Sequence, residues 1–326
     1  MSAADAGMAE VKSPSTTAPI LTVHLSPNHP DGLVLRNPLT AAAGTFGYGM
    51  EYGRMVDLQV LGAIFSKGTT LRPRRGAPPP RVVETAGGML NAVGLQNPGV
   101  EAVVREKAPI WAGWRAPVIV NVAGEEIDEY VAVAQALDGI PGVAAIELNI
   151  SCPNQAAGGM IFGCDARMAA EVTREVRAAC SLPLIVKLSP NVTDILPIAE
   201  AVEEAGADAI TLINTLLGMT IDVESRRPFL GNGTGGLSGP AIKPIAVRMV
   251  YQAAGAVSIP IIGAGGILNA EDVVEFLLAG ASAVQVGTAN FAEPGAIPRI
   301  LSDLEHWLTR HGVADVRELI GAARQA

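Results

Sequence analysis

Short runs of apolar, β-prone residues recur along the chain, each closing on a polar or glycine-containing end. Eight stand out: LTAAAG (39–44), AIFSKG (63–68), VIVNVAG (118–124), AIELNIS (145–151), PLIVKLS (183–189), AITLINT (209–215), PIIGAGG (260–266) and AVQVGTA (283–289). Between many of them lie segments such as DILPIAEAVEEAGAD and AEDVVEFLLAGAS. These are apolar at i, i+3, i+4 and end near glycine, so they predict helices. Near-continuous apolar strands alternating with helices describe a parallel sheet covered on both faces. Eight such units in a chain of 326 residues predict an α/β fold, a single (β/α)8 barrel of the TIM type, over residues 20–326. Residues 1–19 are rich in Ala, Ser, Thr and Pro and read as a loose, flexible tail.

The spacing of the units is uneven. Roughly 23–27 residues separate some strand starts, but about 40 to 55 separate strands two and three, four and five, and six and seven. Long loops are therefore expected after strands 2, 4 and 6, at the C-terminal face where barrel enzymes build their sites. The loops carry TTLRPRRGAPPPRVVETAGGMLNAVGLQNPG, CPNQAAGGMIFGCD and LLGMTIDVESRRPFLGNGTGGLSGP, glycine-rich and polar enough to cover a substrate.

The strand ends change the picture from fold to chemistry. They carry Lys67, Asn121, Asn149, Lys187, Asn214 with Thr215, Gly265-Gly266 and Gly287-Thr288. A single terminal Asn is an ordinary turn former, and a single Lys ordinarily reaches for solvent. Three Asn and two Lys around one face are a different matter. Amides both donate and accept, which suits a flat ligand edged with C=O and N–H groups. The lysines supply fixed positive charge for a carboxylate, or for an anion formed during reaction. The glycines after strands seven and eight fit a phosphate approached by bare backbone N–H groups.

Composition narrows the class. A net charge of −9 argues against nucleic acid or an anionic membrane as partner. No apolar run approaches the roughly 20 residues of a membrane helix. Cys152, Cys164 and Cys180 are an odd set without CxxC spacing, which argues against a disulfide framework and a zinc site and suits a reducing, cytoplasmic setting. His24, His29, His306 and His311 lie in terminal segments, so no metal site is expected and a His-based triad has little to draw on. Cys152 sits just beyond strand four, among Ser151, Pro153 and Asn154, none of them core residues. It is thus a candidate reactive thiol, whereas Cys164 in the loop and Cys180 at a helix end read as inert.

The runs KGTTLRPRRG, GMLNAVGLQNPG, ELNISCPN, VKLSPNVTDI, INTLLGM, GGLSGPAIKP, IIGAGGI and AVQVGTANF resemble those of class 1B dihydroorotate dehydrogenase catalytic subunits over roughly residues 20–300. That family is a flavin-dependent (β/α)8 barrel of pyrimidine biosynthesis. The resemblance implies that Cys152 takes a proton from C5 of dihydroorotate while the C6 hydride passes to N5 of FMN, giving orotate. Asn91, Ala92, Val93, Gly94, Leu95, Asn149, Asn154, Asn214 and Thr215 would hold the pyrimidine and its carboxylate, with Lys67 between flavin and substrate. Gly68, Asn121, Asn149, Lys187, Ile213, Gly239, Gly265, Gly266, Gly287 and Thr288 would line the FMN. Ala43 stands where the family usually has serine before a glycine, which implies a backbone contact in place of a side-chain one. Cysteine rather than serine as the base points to a soluble class 1 enzyme.

The chain has no GxGxxG opening a helix after a strand and too few cysteines for an iron–sulfur cluster. By resemblance, electrons then reach NAD+ through a partner electron-transfer subunit carrying FAD and a [2Fe-2S] cluster, in a heterotetramer of two catalytic and two electron-transfer chains. Other readings stay open at this point: a class 1A-type fumarate-linked enzyme, another pyrimidine-reducing flavin barrel, a phosphate-binding aldolase or isomerase using Lys67 or Lys187 as Schiff-base former, and a non-catalytic binding barrel.

Overall fold

Each of the eight apolar runs forms a strand in a computed structural model, which describes residues 18–151 and 159–324. The strands are β1 (Leu39–Ala41), β2 (Ala63–Phe65), β3 (Val118–Val122), β4 (Ala145–Asn149), β5 (Leu184–Lys187), β6 (Ala209–Leu212), β7 (Ile261–Ala264) and β8 (Ala283–Val286). All pair in parallel with their chain neighbours, and β8 returns to β1 to close the barrel. Every residue in them is buried, as expected for strands packed on both faces.

Helices cover the outside. Among them, α1 (Ile127–Leu137) and α2 (Ala166–Ala179) follow β3 and β4, and α3 (Leu196–Glu204) follows β5. Later, α4 (Lys243–Ala253) and α5 (Ala270–Ala279) flank β7, and α6 (Ala296–Arg310) follows β8. Their buried faces recur at helical spacing: Tyr130, Val133, Ala134 and Leu137 in α1, and Ile297, Ile300, Leu304 and Leu308 in α6. Local signals start them. Asp165 accepts from the Met168 N–H to cap α2, and Asn269 and Asp272 form a capping box on α5.

The long insertions after β2 and β6 are more ordered than glycine-rich loops suggest. They pair as an antiparallel four-stranded sheet in the order Leu216–Gly218, Gly235–Ser238, Gly88–Asn91, Val82–Thr85. This sheet stands at the C-terminal face and supplies one wall of the site. Cys180 is buried at the end of α2, as the sequence suggests. Cys164 is exposed and closes a short helix, Gly159–Cys164, where the sequence reads as a loop. Among the described residues no helix is long and apolar enough to cross a membrane.

Candidate active site

The strand ends overrun the barrel ladder by a few residues, and that overrun builds the site. Past their last paired residues, β2, β6, β7 and β8 deliver Lys67-Gly68, Ile213-Asn214-Thr215, Gly265-Gly266 and Gly287-Thr288 to one cleft of about 200 Å³. Asn121, Asn149 and Lys187 reach it from within β3, β4 and β5, Ala43 from beyond β1, and Gly239 from beyond the covering sheet. Asn91, Val93, Gly94 and Leu95 form the facing wall. Ala92 does not line the cleft: it is fully buried and packs with Leu90 and Leu230, and its N–H donates to the Arg81 carbonyl. Cys152 and Asn154 lie outside the described residues, but Ser151, immediately before them, is buried and tied into the site.

The facing wall is held by Asn97, which the sequence reading passed over. Its side chain donates to Thr70 Oγ1 (2.8 Å) and the Leu95 carbonyl (2.7 Å) and accepts from the N–H groups of Thr70 and Gly99. A fully used buried amide thus ties GLQNPG to KGTT. Leu95 takes a φ of 52°, a conformation unusual for a residue with a side chain, at the cleft wall.

Beneath the cleft is a second unanticipated feature. Glu147, fully buried inside the barrel on β4, accepts hydrogen bonds from Asn121 Nδ2 (2.6 Å), Thr211 Oγ1 (2.8 Å) and Gln285 Nε2 (2.7 Å). A buried carboxylate is costly unless its oxygens are met by donors, and here three strands provide them. Gln285 in turn accepts from Lys187 Nζ at 3.1 Å. On the other side Asn149 donates to Asn121 Oδ1 (3.3 Å), and Asn149 Oδ1 receives Ser151 Oγ (3.2 Å) and Asn214 Nδ2 (3.4 Å). The Asn149 backbone carbonyl accepts from Tyr130 on α1. A signal was present: a charged residue in the middle of AIELNIS, facing the same way as Asn149 by strand alternation.

The two lysines differ. Lys187 is 6% exposed and held by Gln285. Lys67 is half-buried at the cleft, and burial pulls its ammonium below the usual lysine range, with Glu51 opposing that shift and Arg81 adding to it.

Gly265 and Gly266 line the cleft while packed too closely against neighbouring segments of the chain to carry side chains. A Cβ on Gly266 would stand 2.7 Å from Lys243 Cβ and 2.9 Å from the Gly239 carbonyl, at a φ of +77°. Gly265, at φ +130°, is equally closed to an L side chain. This bare backbone beside Thr288, together with the two ammonium groups, fits an anionic, phosphate-bearing flavin. Among the described residues no group of His, Cys, Asp and Glu is placed to hold a metal.

The chain matches the family model described as dihydroorotate dehydrogenase over residues 27–308. It is 58% identical over 294 residues to the dihydroorotate dehydrogenase B (NAD(+)) catalytic subunit of Desulforudis audaxviator, covering 90% of this chain and 96% of that protein. The protein of the same name from Geotalea daltonii is 55% identical over 306 residues, covering 94% and 99%. In fold, the chain is similar to Eimeria tenella DHODH crystallised in complex with ferulenol, with a TM-score of 0.79 at 21% identity over 94% of this chain and 89% of that one. The chain belongs to the dihydroorotate dehydrogenase family.

Proposed function

We propose that this protein oxidises dihydroorotate to orotate in pyrimidine biosynthesis, as the FMN-binding catalytic subunit of an NAD+-linked enzyme. The observation that carries the reading is the convergence of Lys67, Lys187, Asn121, Asn149 and Asn214 on one cleft beside the glycine backbone of β7 and β8. FMN, held by that backbone, Lys187 and Asn121, would supply the hydride acceptor.

The residues divide the remaining work. Asn149, Asn214, Thr215 and Asn91 offer amide and hydroxyl groups to the C=O and N–H edges of a pyrimidine, and Lys67 offers charge to its carboxylate. Lys187 stabilises negative charge that builds on the flavin side of the cleft. Cys152 is the proposed base for the C5 proton; a free thiol pKa of about 8.5 leaves a few per cent thiolate near neutrality. Asn154 is a further proposed substrate contact. The covering sheet lines one side of the cleft with Val82, Met89, Asn91 and Ser238.

Electron delivery to NAD+ falls to a separate subunit. The relatives' shared name, with its words "catalytic subunit" and "NAD(+)", supports this over a fumarate-linked reading. FAD and [2Fe-2S] on that partner, a two-plus-two heterotetramer, a cytoplasmic setting and a 20–326 catalytic domain belong to the same proposal. The test is the absorption spectrum of the purified chain, before and after incubation with FMN. A flavin spectrum with a stoichiometric cofactor supports the reading; a colourless protein that FMN does not reconstitute overturns it.

A further inference from the structure

Glu147 does not itself line the cleft, yet two hydrogen-bonded arms that reach it, one through Asn121 and one through Gln285, start from its carboxylate. A carboxylate only accepts hydrogen bonds, so the atoms facing it from Asn121 and Gln285 must be their NH2 groups. That choice propagates. With Nδ2 turned to Glu147, Asn121 presents Oδ1 to Asn149, which must then present Nδ2 to Asn121 and Oδ1 to Asn214 and Ser151. With Nε2 turned to Glu147, Gln285 presents Oε1 to the Lys187 ammonium, which can only donate.

We propose that Glu147 is a positioning residue that sets the donor and acceptor direction of both arms, and so decides which face of the Asn121 and Asn149 amides, and which position of the Lys187 ammonium, meets the ligands. The inference rests on the flavin reading above for its functional consequence, while the direction-setting itself is a property of this chain alone.

Glutamine in place of Glu147 preserves shape but introduces one donor. If that NH2 faces Asn121, the Asn121–Asn149–Asn214 chain is reversed or broken; if it faces Thr211 and Gln285, Gln285 turns and meets Lys187 donor to donor. Either way one arm fails. Adding Asn121→Asp to Glu147→Gln cures this. The introduced carboxylate accepts from the introduced amide with one oxygen and from Asn149 with the other, leaving the second arm as it was. Asn121→Asp alone sets two carboxylates against each other and has no such remedy.

The experiment compares the parent chain, Glu147→Gln, Asn121→Asp and the double variant, each as apoprotein, in FMN titration followed by flavin fluorescence and in thermal unfolding without FMN. Each single variant is expected to bind FMN about ten- to a hundredfold more weakly, the scale of one hydrogen bond to a charged group. Because Asn121 itself borders the FMN, the double variant is judged by its fold: it is expected to unfold without FMN at a higher temperature than either single variant. A merely space-filling Glu147 would let the two losses add. Glu147→Gln behaving as the parent in both measurements, or additive losses of unfolding temperature in the double variant, overturns the proposal. If Glu147→Gln does not fold, a folded double variant supports the proposal and an unfolded one overturns it. A parent chain that binds no FMN counts against the flavin reading, and the unfolding comparison then decides the direction-setting claim alone.

Discussion

Lys187 on β5 places its ammonium 3.1 Å from the side-chain carbonyl of Gln285 on β8, across the barrel mouth and almost fully buried. A lysine so buried is held as a fixed charge, because its described partner is itself anchored to Glu147. The charge is available to the cleft without the entropy cost of a mobile surface lysine.

Replacing Lys187 by Ala removes that charge. FMN is expected to bind more weakly, by about tenfold or more for one buried charge-assisted contact, and its reduction by dihydroorotate is expected to slow. Titration of the apoprotein with FMN measures the first and rapid-mixing absorbance the second. Lys187→Arg is not expected to rescue, since a planar guanidinium does not fit the position of a compact ammonium. Parental behaviour in both assays would remove Lys187 from the cofactor site.

Gly266→Ala tests the backbone surface. The new Cβ would press on Lys243, whose ammonium is held by Asp272 at 2.6 Å and Glu275 at 2.7 Å and so cannot easily withdraw. With a φ of +77° the residue is strained as well. We expect a loss of more than about 1 kcal/mol in apoprotein stability and weaker FMN binding. An alanine variant as stable as the parent would contradict this packing.

Lys67 gives a pH dependence with a definite sign. Burial lowers its pKa from 10.5, so the ammonium loses its proton at a lower pH than an exposed lysine. Attraction for the orotate carboxylate is therefore present below that lowered value and lost as pH rises through it. Orotate titrations across the alkaline range should show affinity falling there in the parent. Lys67→Met should bind more weakly at neutral pH and lack the Lys67-dependent part of that fall. Superimposable profiles would place the carboxylate elsewhere.

Much of this was legible in the sequence because the barrel strands are short, almost unbroken apolar runs that end on Asn, Lys or Gly. The ends themselves were read long: LTAAAG leaves the ladder after Ala41 and AIFSKG after Phe65. Ala43 and Gly44 already turn, and Lys67 and Gly68 face the cleft, so pattern alone does not mark where pairing stops. The covering sheet was missed because Val82–Thr85 alternates between half-buried and exposed positions and its neighbours are glycine-rich, giving little hydrophobic signal. Glu147 and Gln285 were passed over as strand residues. Their roles follow from three-dimensional proximity between β4 and β8, which chain spacing does not reveal.

The NAD+ link predicts a division between chains. The isolated protein should reduce artificial acceptors with dihydroorotate while reducing NAD+ hardly at all. Co-expression with the electron-transfer subunit should give a stable complex that restores NAD+ reduction. Efficient NAD+ turnover by the isolated chain would contradict the need for a partner, and brisk turnover with fumarate would favour the fumarate-linked type.

The most direct measurement is anaerobic mixing of the FMN-loaded chain with dihydroorotate, following the visible flavin absorption. The parent should bleach as orotate forms, without any partner subunit. Cys152→Ala should keep its FMN but bleach about 10²–10⁴-fold more slowly, the usual contribution of a general base. A parent flavin that dihydroorotate does not reduce would contradict the proposed activity, and a Cys152→Ala variant that bleaches at the parent's rate would contradict the assignment of the base.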